Sequence, residues 1–384
     1  MRFAVDAHAI GRHLTGNEVY VRSLLNAFGA RNRDCEFVAY VSASEASHRL
    51  PERIRTRRIA ANPFWRLGFE LALRARQDRP DLLHVQYTAP IGCPVPVVVT
   101  VHDVSFLEHP EYFPWPRARQ LQWTVRRTVA RAAKVLTVSD FSRGAILKAY
   151  GDLEEDRVVV VPNAAAPEFR PIARENAMAA IRARFAISSP FLLSVGDLQP
   201  RKNQIGLIRA FAQLVHAYPQ IPHSLVLVGK ETWFTERVRD AARTSGVEDR
   251  IHFCGFVADP DLLHLYNACD VFVFPSFYEG FGLPVLEAMA CGRAVACSNA
   301  AALPEVVDGA AILFDPYRAD EIVRAMADLL LDPELCLRME RLGLQRAAHF
   351  SWQRAADRML DVFREVAAGP GTVARTAPAA IARQ

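Results

Sequence analysis

The amino-acid sequence predicts an α/β protein with two parallel-sheet domains. Short apolar runs of strand length alternate with amphipathic stretches of helix length, which is the pattern of strands joined by crossover helices. The 384 residues are enough for two or three domains, each with its own core. A segment punctuated by Pro162, Pro167 and Pro171 lies near the middle and is predicted to connect the domains.

Composition excludes several classes of protein. Apolar residues make up 51% of the chain, yet no apolar run reaches the length that spans a bilayer. Asp6 interrupts the apolar start of the chain, which argues against a signal peptide and favours a first strand over residues 1–7. The seven cysteines include no close pair, which favours reduced thiols in the cytoplasm, and no Cys/His spacing indicates zinc. The net charge of +4 is too small to indicate a partner.

In the first half, further strands are predicted over residues 37–41, 82–85, 95–101, 135–138 and 158–161. His102 follows one of these runs directly, at the carboxyl end of a strand, where open α/β sheets bind their ligands. An isolated histidine is more often an ordinary polar residue. Gly16 belongs to the loop between the first strand and the first helix. Ser139 follows the strand 135–138 and is predicted to cap the next helix, with ligand binding as its second interpretation.

Two segments of the first half are rich in arginine. Residues 49–79 contain nine arginines against three acids, and residues 117–134 contain five arginines and one lysine with no acid. Aromatic side chains such as Phe64, Trp65 and Trp123 are interleaved with them. Such segments suit an anionic membrane surface, and a solvated arginine face explains them equally well. No recognisable nucleic-acid-binding module accompanies them, so nucleic acid is not expected as a partner.

The second half opens with a predicted strand over residues 191–195 that ends at Gly196. Arg201 and Lys202 come just before the next predicted helix, although cations are unfavourable near a helix N-terminus. A bound anion would remove this conflict. Asp259 and Asp261 have the spacing of an Asp-x-Asp metal motif, but a helix pattern begins there, so we expect helix capping and no metal.

The chain is organised around a strand, a glycine turn and a helix. Apolar residues 271–274 predict a buried strand, and Pro284 is suited to the first turn of a helix. Between them, Gly280 and Gly282 allow the backbone to come close to a ligand. Free N–H groups and the helix dipole make such a turn an anion site.

Glu279 and Glu287 flank this turn. An anion site framed by two hydroxyl-binding acids suits a nucleotide sugar, which carries a diphosphate between two polyols. The pattern Glu-x7-Glu around Gly-Phe-Gly-Leu-Pro resembles the signature of the retaining GT-B glycosyltransferases of family 4. His102-Asp103 and the run Pro-Arg-Lys-Asn over residues 200–203 resemble further motifs of that family. Within it, the chain is most similar to the bacterial mannosyltransferases that extend O-antigen and other surface polysaccharides.

The resemblance implies a GT-B fold, in which two Rossmann-like domains face each other across a deep cleft. Residues 1–165 would form the acceptor-binding domain, and residues 172–350 the nucleotide-sugar-binding domain. The helix over residues 351–366 would cross back and pack on the first domain. The tail over residues 369–384 is rich in Gly, Pro, Ala and Thr and is predicted to be disordered.

The resemblance also implies roles for individual residues. In the family, a histidine and the first glutamate contact the donor sugar, the second glutamate binds the ribose, and one strand end borders the base. The matching positions are His102 and Glu279 for the catalytic centre, Gly16, Arg201, Lys202, Gly280, Phe281, Gly282 and Leu283 for the diphosphate, Glu287 for the ribose, and Gly255, Phe256 and Val257 for the base. Two acids depart from the family pattern. Glu18 stands where a second glycine is usual, and Asp197 stands where an arginine is common.

The implied reaction moves a hexose, with mannose from GDP-mannose as the best match, from a nucleotide-diphosphate sugar to a glycan or polyprenyl-linked acceptor. Anomeric configuration is retained, and no metal or other cofactor is expected. Two alternatives stay open. One is a non-catalytic, membrane-docked scaffold, suggested by Glu18 and Asp197, and the other is a GT-B sugar-nucleotide epimerase. The expected location is the cytoplasm, with peripheral binding to the inner face of the cytoplasmic membrane as a further expectation.

Overall fold

The computed structural model describes residues 1–12, 15–31 and 34–369, and the predicted tail from residue 370 onward lies outside the described residues. The chain forms two β-sheets, one of seven strands and one of six. Neighbouring strands run parallel in both sheets. The predicted α/β class with two parallel sheets is confirmed.

The first sheet is built from the first 160 residues. Its strands are β1 (Arg2–Asp6), β2 (Glu36–Val41), β3 (Ile54–Arg58), β4 (Leu82–Gln86), β5 (Val97–Thr100), β6 (Lys134–Thr137) and β7 (Val158–Val160). Their order across the sheet is β3-β2-β1-β4-β5-β6-β7. The helices are α1 (Thr15–Arg31), α2 (Pro63–Trp65), α3 (Leu71–Asp78), α4 (Ser105–Glu108), α5 (Trp115–Arg131) and α6 (Asp140–Ala149), and a π-helical turn, Arg66–Glu70, joins α2 to α3.

The second sheet follows a helix, α7 (Arg174–Phe185). Its strands are β8 (Phe191–Val195), β9 (Ser224–Val228), β10 (Ile251–Gly255), β11 (Val271–Phe274), β12 (Ala294–Ser298) and β13 (Ile312–Phe314). Their order is β10-β9-β8-β11-β12-β13. The helices are α8 (Gln204–Ala217), α9 (Thr235–Arg243), α10 (Asp259–Ala268), α11 (Leu283–Ala290), α12 (Leu303–Val307), α13 (Ala319–Leu331) and α14 (Pro333–Ala347).

The last helix, α15 (Trp352–Ala368), returns to the first domain as predicted. Its apolar face is buried in the core of the first sheet, where the Phe363 ring lies 5.4 Å from that of Phe3. The Trp352 ring lies 5.9 Å from that of Tyr20. Ser351 caps the start of the helix, since its side chain accepts a hydrogen bond from the N–H of Arg354.

The strand order decides where a ligand can bind. In each sheet the order reverses once, between β1 and β4 in the first and between β8 and β11 in the second. Loops diverge at such a point and leave a crevice beyond the carboxyl ends of the strands. The segments that follow β8 and β11, residues 196–202 and 275–282, both contribute to one cavity between the domains.

Two further features concern membrane-spanning segments and cysteines. None of the helices in the described part of the chain has the length and apolar character needed to cross a membrane. All seven cysteines are free thiols.

Candidate active site

A cavity of about 440 Å³ opens between the carboxyl ends of the two sheets, and both domains line it. It brings together all but one of the predicted site residues, namely Gly16, His102, Arg201, Lys202, Phe256, Val257, Glu279, Gly280, Phe281, Gly282, Leu283 and Glu287. Gly255 is the exception. It does not line the cavity. It is the last residue of β10, and its carbonyl accepts a hydrogen bond from the N–H of Gly229 at 2.9 Å.

The turn before α11 needs its two glycines for different reasons. Gly282 has a φ of 105°, a left-handed conformation, and an added Cβ would lie 2.6 Å from Leu303 Cδ2. A Cβ on Gly280 would lie 2.2 Å from the carbonyl oxygen of His102, in the other domain. Gly280 therefore lets the two domains meet, and Gly282 lets the chain enter the helix. With Pro284 in its first turn, the N-terminus of α11 borders the cavity and suits an anion.

Two cations, the buried Lys202 and the partly buried Arg201, share one carboxylate at this turn. Lys202 Nζ donates to Glu279 Oε1 at 2.6 Å, and Arg201 Nη1 donates to Glu279 Oε2 at 2.9 Å. Burial alone would raise the pKa of Glu279, but the positive charges of Arg201 and Lys202 lower it to about 2. The carboxyl group is therefore ionised at neutral pH, and the three side chains together carry a charge of +1.

Local structure holds these cations in place. The 3₁₀ turn Pro200–Lys202 follows the end of β8, and Asn203 ends it with a left-handed φ of 53°. The Asn203 side chain then caps α8 by accepting from the N–H of Gly206 at 3.2 Å. The Arg201 and Lys202 side chains therefore point back toward Glu279 rather than along the helix. This reduces the unfavourable interaction between the two cations and the N-terminus of the helix that was expected from the sequence.

Glu287 is the second acid of the sequence pattern. It lies in α11 and is 6% exposed, and its carboxylate accepts a hydrogen bond from the Tyr266 hydroxyl at 2.8 Å. Burial raises the pKa of Glu287 to about 7. Within the described residues no lysine or arginine forms an ion pair with it. This carboxyl therefore has unused acceptor capacity on the cavity wall, where hydroxyl groups of a ligand can bind.

His102 lies where β5 ends. Its Nε2 is 2.9 Å from Gln86 Oε1, and its ring meets that of Tyr20 edge-on at 4.6 Å. Burial lowers the pKa of His102 to about 4, so the ring is neutral at pH 7. With Nε2–H donating to the Gln86 oxygen, Nδ1 is an acceptor suited to a hydroxyl group.

The two acids that depart from the family pattern have other partners. Glu18 accepts a hydrogen bond from the N–H of Gly11 at 2.8 Å and forms an ion pair with Arg49 at 3.3 Å, so it holds the loop after β1. Asp197 Oδ1 accepts from the N–H of Lys230 at 3.3 Å, which ties together the loops after β8 and β9. Gly16 lies in α1, where a Cβ would meet nothing within 4 Å.

The domains touch on one side of the cavity through the same glycine turn. Ser139 Oγ and Ser142 Oγ donate to the carbonyl of Gly280 at 2.7 and 3.2 Å. Ser139 also accepts from the N–H of Ser142, so its predicted capping role is confirmed. Nearby, Tyr278 donates its hydroxyl hydrogen to Glu108 Oε2 at 2.8 Å.

A second contact joins the domains beside the first. The Glu305 carboxylate of α12 accepts from the N–H groups of Asp140 and Phe141 at 2.9 and 3.0 Å. These N–H groups belong to the first turn of α6, where a negative charge is favourable. The second domain therefore supplies an anion to a helix N-terminus of the first.

Several residues in or beside the cavity were not predicted from the sequence. Gln86 orients His102 from the end of the neighbouring strand, and Tyr87, which lines the cavity, has a left-handed φ of 58°. The strand-end position of Gln86 is a signal that could have identified it. Arg117 also lines the cavity, although the sequence placed it in a solvated or membrane-facing basic helix. Helical periodicity does not distinguish it from the other arginines of α5.

The predicted helix-capping role of the Asp-x-Asp segment is wrong. Asp259 is the first residue of α10, but its side chain does not cap the helix. It forms an ion pair with Arg22 of the first domain at 2.5 Å instead, and Asp261 pairs with Arg184 at 3.6 Å. In the described ranges, no group of three or more His, Cys, Asp or Glu side chains is arranged to hold a metal ion.

Comparison with solved structures identifies the architecture. Sucrose-phosphate synthase of Thermosynechococcus elongatus matches with a TM-score of 0.77 at 21% identity, covering 96% of this chain and 99% of that chain. HepE of Anabaena, solved in complex with UDP and glucose, matches with a TM-score of 0.75 at 20% identity, covering 94% of this chain and 99% of that chain. The two facing domains and the returning helix are the GT-B fold.

Comparison of sequences identifies the family. Residues 14–169 match the family model described as Glycosyltransferase Family 4, and residues 179–346 match the model of glycosyl transferases group 1. The O-antigen chain mannosyltransferase B of Escherichia coli is 34% identical over 267 residues, which are 70% of each chain. Sequence, fold and the arrangement of the cleft agree that this chain belongs to glycosyltransferase family 4 and is a glycosyltransferase.

Proposed function

We propose that the enzyme transfers a hexose, specifically mannose from GDP-mannose, to a glycan or polyprenyl-linked acceptor in the synthesis of a surface polysaccharide. The choice of sugar and pathway rests on the similarity to the Escherichia coli O-antigen chain mannosyltransferase B. A nucleotide-sugar donor agrees with the complex of UDP and glucose in the structural neighbour HepE.

The observation that carries the proposal is the cluster of Arg201, Lys202 and Glu279 beside the N-terminus of α11. A diphosphate would replace Glu279 as the partner of the two cations, with the backbone amides of the glycine turn as additional donors. These preorganised charges would stabilise the leaving diphosphate as the bond to the sugar breaks. Glu279, released from Lys202, would then be available to the hydroxyls of the transferred sugar.

The other polar residues of the cavity orient the donor. Neutral His102 would accept a hydrogen bond from a sugar hydroxyl, and Glu287 would bind the ribose hydroxyls. We propose retention of configuration, with the acceptor attacking from the side of the leaving group and a diphosphate oxygen taking the acceptor proton. No protein base is required for that step, which agrees with a low pKa of His102.

The main proposal is favoured over both alternatives. The argument for a non-catalytic scaffold relied on Glu18 and Asp197, yet Glu18 supports the loop after β1 and Asp197 holds the N–H of Lys230. A sugar-nucleotide epimerase would convert its donor without an acceptor. Measuring donor consumption with and without an acceptor distinguishes the three: transfer, no reaction, or an epimer.

The test begins with a screen of nucleotide sugars for thermal stabilisation of the purified protein. Calorimetry with the best donor then compares Lys202→Ala and Glu287→Ala with wild type. The control is Lys148→Ala, which replaces an exposed lysine of α6. We expect each site variant to weaken donor binding by about tenfold or more, since each loses a charged or hydrogen-bonding partner of the ligand. Unchanged donor affinity in both variants would refute the assignment.

We also propose peripheral docking on the inner face of the cytoplasmic membrane. An aromatic–arginine surface, defined by Phe64, Trp65, Phe69, Ile91, Trp115, Trp123, Arg119 and Arg127, exposes its aromatic side chains by 61% to 82%. Arg119 lies over the Trp115 ring, and Arg127 lies over the Trp123 ring. The N–H of Ile91 bonds to the carbonyl of Leu67, and Arg127 bonds to the carbonyl of Ala89, so the loop after β4 joins the α2–α3 segment to α5. Exposed aromatic rings among arginines suit the interface of an anionic bilayer.

The membrane proposal is tested by sedimentation with lipid vesicles. We expect binding to vesicles that contain anionic lipid, a decrease in binding with salt, and strong loss in the Trp65→Ala/Trp123→Ala variant. Trp233→Ala is the matched control, because Trp233 is 57% exposed on the second domain. Equal binding by the two variants, or binding that salt does not affect, would contradict membrane docking by this surface.

A further inference from the structure

Tyr87 has a strained backbone on the wall of the cavity. It directly follows β4 and lines the cavity, and its φ of 58° is in the left-handed region, which residues with a Cβ rarely adopt. The N–H of Thr88 donates to the carbonyl of Gln86 at 2.6 Å, so residues 86–88 form a γ-turn around Tyr87. A γ-turn whose central φ is positive is the rare and strained form. Glycine or asparagine would adopt it more easily, so the tyrosine needs a further explanation.

Hydrogen bonds on both sides of the γ-turn hold it in this conformation. The N–H of Tyr87 donates to the carbonyl of Thr100 at 2.9 Å, which continues the pairing of β4 with β5. The Thr88 hydroxyl donates to Thr124 Oγ1 of α5 at 3.1 Å. The neighbouring strand and helix therefore impose the strain. Backbone strain of this kind is concentrated at binding and catalytic sites.

The γ-turn places the Tyr87 ring next to His102. The centres of the two rings are 5.6 Å apart, and their planes are tilted by 56°. On another side the Tyr87 ring meets the Phe106 ring edge-on at 6.3 Å. Transfer joins two sugars, so the sugar of the acceptor must bind next to the donor sugar, which is proposed to contact His102. The Tyr87 ring is in a suitable place for the sugar of the acceptor.

Two charged side chains, Asp103 and Arg117, line the cavity together with Tyr87. Asp103 Oδ1 accepts hydrogen bonds from the N–H and the hydroxyl of Ser105, whereas none of the described residues donates to its Oδ2. Arg117 uses its Nη1 for Gln120. The guanidinium group has five N–H donors, so most of them remain for a ligand. The wall therefore offers an aromatic ring, a carboxylate oxygen and guanidinium donors.

A pyranose ring matches this combination. Its faces carry C–H groups that pack on an aromatic ring, and its edge carries hydroxyl groups that bind carboxylate and guanidinium groups. An isoprenoid chain would also cover the aromatic ring. It would, however, remove water from Asp103 and Arg117 without replacing the lost hydrogen bonds, which is costly. The chemistry of the wall therefore favours a sugar over a lipid at Tyr87.

We infer that the terminal sugar of the acceptor stacks on the Tyr87 ring, with Asp103 and Arg117 binding hydroxyl groups at its edge. The inference rests on the proposed function, because it concerns the acceptor of that reaction. It specifies that the part of the acceptor bound beside the donor is a neutral sugar ring at the end of a glycan.

The experiment measures acceptor binding without transfer. Three neutral probes, the methyl glycosides of mannose, glucose and galactose, are titrated into the purified protein and followed by NMR. For the glycoside that wild type binds best, Tyr87→Asn should raise the dissociation constant at least about tenfold, because the aromatic ring is lost. Tyr87→Phe keeps the ring and should change it by less than about threefold. Tyr317→Asn is the matched control, because Tyr317 is exposed and does not line the cavity.

Two further measurements separate loss of the ring from loss of the fold. Asparagine suits a positive φ, so Tyr87→Asn should melt at or above the temperature of wild type. Tyr87→Gly, which suits this backbone at least as well, is the second variant and should lose glycoside binding in the same way. Calorimetry should show that the affinity for the nucleotide-sugar donor is the same in both variants as in wild type.

Three results overturn the inference. They are equal glycoside affinity in Tyr87→Asn and Tyr87→Phe, no binding of any of the three glycosides by wild type, and an effect of Tyr87→Asn on farnesyl diphosphate alone, which would assign the ring to a lipid. Failure of the proposed function gives a different result. Wild type would then transfer no sugar from any donor, while Tyr87→Asn would still weaken glycoside binding.

Discussion

The two walls of the cleft hold their cations in opposite ways. On the wall of the second domain, Glu279 lies between Arg201 and Lys202 and compensates them. On the wall of the first domain, Arg117 is exposed to the cavity, its Nη1 donates to Gln120 Oε1, and no carboxylate of the described residues is bonded to it. A cation with its own counter-ion must exchange partners to bind an anion. An exposed cation without one is hydrated and has only water to lose.

The largest expected effect tests the contact between the walls. Gly280→Ala places a Cβ 2.2 Å from the carbonyl oxygen of His102, so the domains cannot approach as they do here. We expect transfer to fall at least about 100-fold, because misplacing reacting groups by an ångström has effects of that size. Sugar transfer is measured alongside small-angle scattering, which should show a wider separation of the domains. Gly144→Ala is the control, since its Cβ meets nothing within 4 Å, and full activity in Gly280→Ala would refute the contact.

The next substitution, Glu279→Gln, removes the counter-ion of the second wall. Glu279→Gln leaves Arg201 and Lys202 buried without a carboxylate, which should lower the free energy of unfolding by about 3 kcal/mol. The same variant should bind a nucleoside diphosphate more tightly than wild type, because no carboxylate has to be displaced, and should lose sugar transfer. Chemical denaturation and calorimetry measure the two effects. Weaker binding of the nucleoside diphosphate would show that Glu279 does not compete with it.

Glu287 is the carboxyl group of the same wall that lacks a counter-ion. Its pKa is raised from 4.5 to about 7, so the folded protein holds a proton between these values that the unfolded chain has released. Its contribution to stability is therefore present below pH 4.5 and is lost as the pH rises to 7. Glu287→Gln removes this dependence. We expect the variant to become more stable than wild type by about 3 kcal/mol at pH 8, with little difference at pH 4.5.

The comparison of Glu287→Gln with wild type separates the titration of Glu287 from that of other groups. Burial lowers the pKa of His84 to about 3 and that of His102 to about 4, so each histidine makes the folded protein more stable as the pH increases. Both histidines are present in the variant and in wild type, so their contributions cancel in the difference. A stability difference between Glu287→Gln and wild type that does not vary with pH would contradict the raised pKa.

The smallest effect concerns the exposed contact between the domains. Glu305→Gln should weaken the interaction with the N-terminus of α6 by less than about 1 kcal/mol, because the carboxylate is in solvent. We expect a donor KM raised two- to threefold, roughly, at low salt and close to wild type at high salt. Steady-state kinetics at two ionic strengths measure this. Glu154→Gln, an exposed acid of the first domain, should have no effect at either ionic strength.

Much of the second wall could be predicted because its motif is continuous in sequence. The strand 271–274, the glycine turn and the helix follow one another within twenty residues, so local patterns were sufficient. Gly255, predicted to border the base, is the last residue of β10 and does not line the cavity, and its carbonyl is used within the sheet. The bond from Lys202 to Glu279 joins segments 77 residues apart, and no local pattern reports such a contact.

The first wall was harder to predict because its residues come from distant segments. Gly16, His102 and Arg117, which line it, come from a helix, a strand end and another helix, and the sequence placed Arg117 in a basic face. Whether an arginine of such a face lines the cavity depends on the tertiary neighbours of its helix. Helical periodicity alone predicts only that the segment is amphipathic.

The returning helix α15 also constrains how the protein is made. The last strand of the first sheet ends at Val160, but the helix that completes its core begins at Trp352, about 190 residues later. At common rates of translation the first sheet waits roughly 10 to 40 s for that helix to be synthesised. During this interval an apolar face around Phe3 and Phe28 is uncovered on the ribosome. The amino-terminal half is therefore expected to be the part of the nascent chain that chaperones recognise.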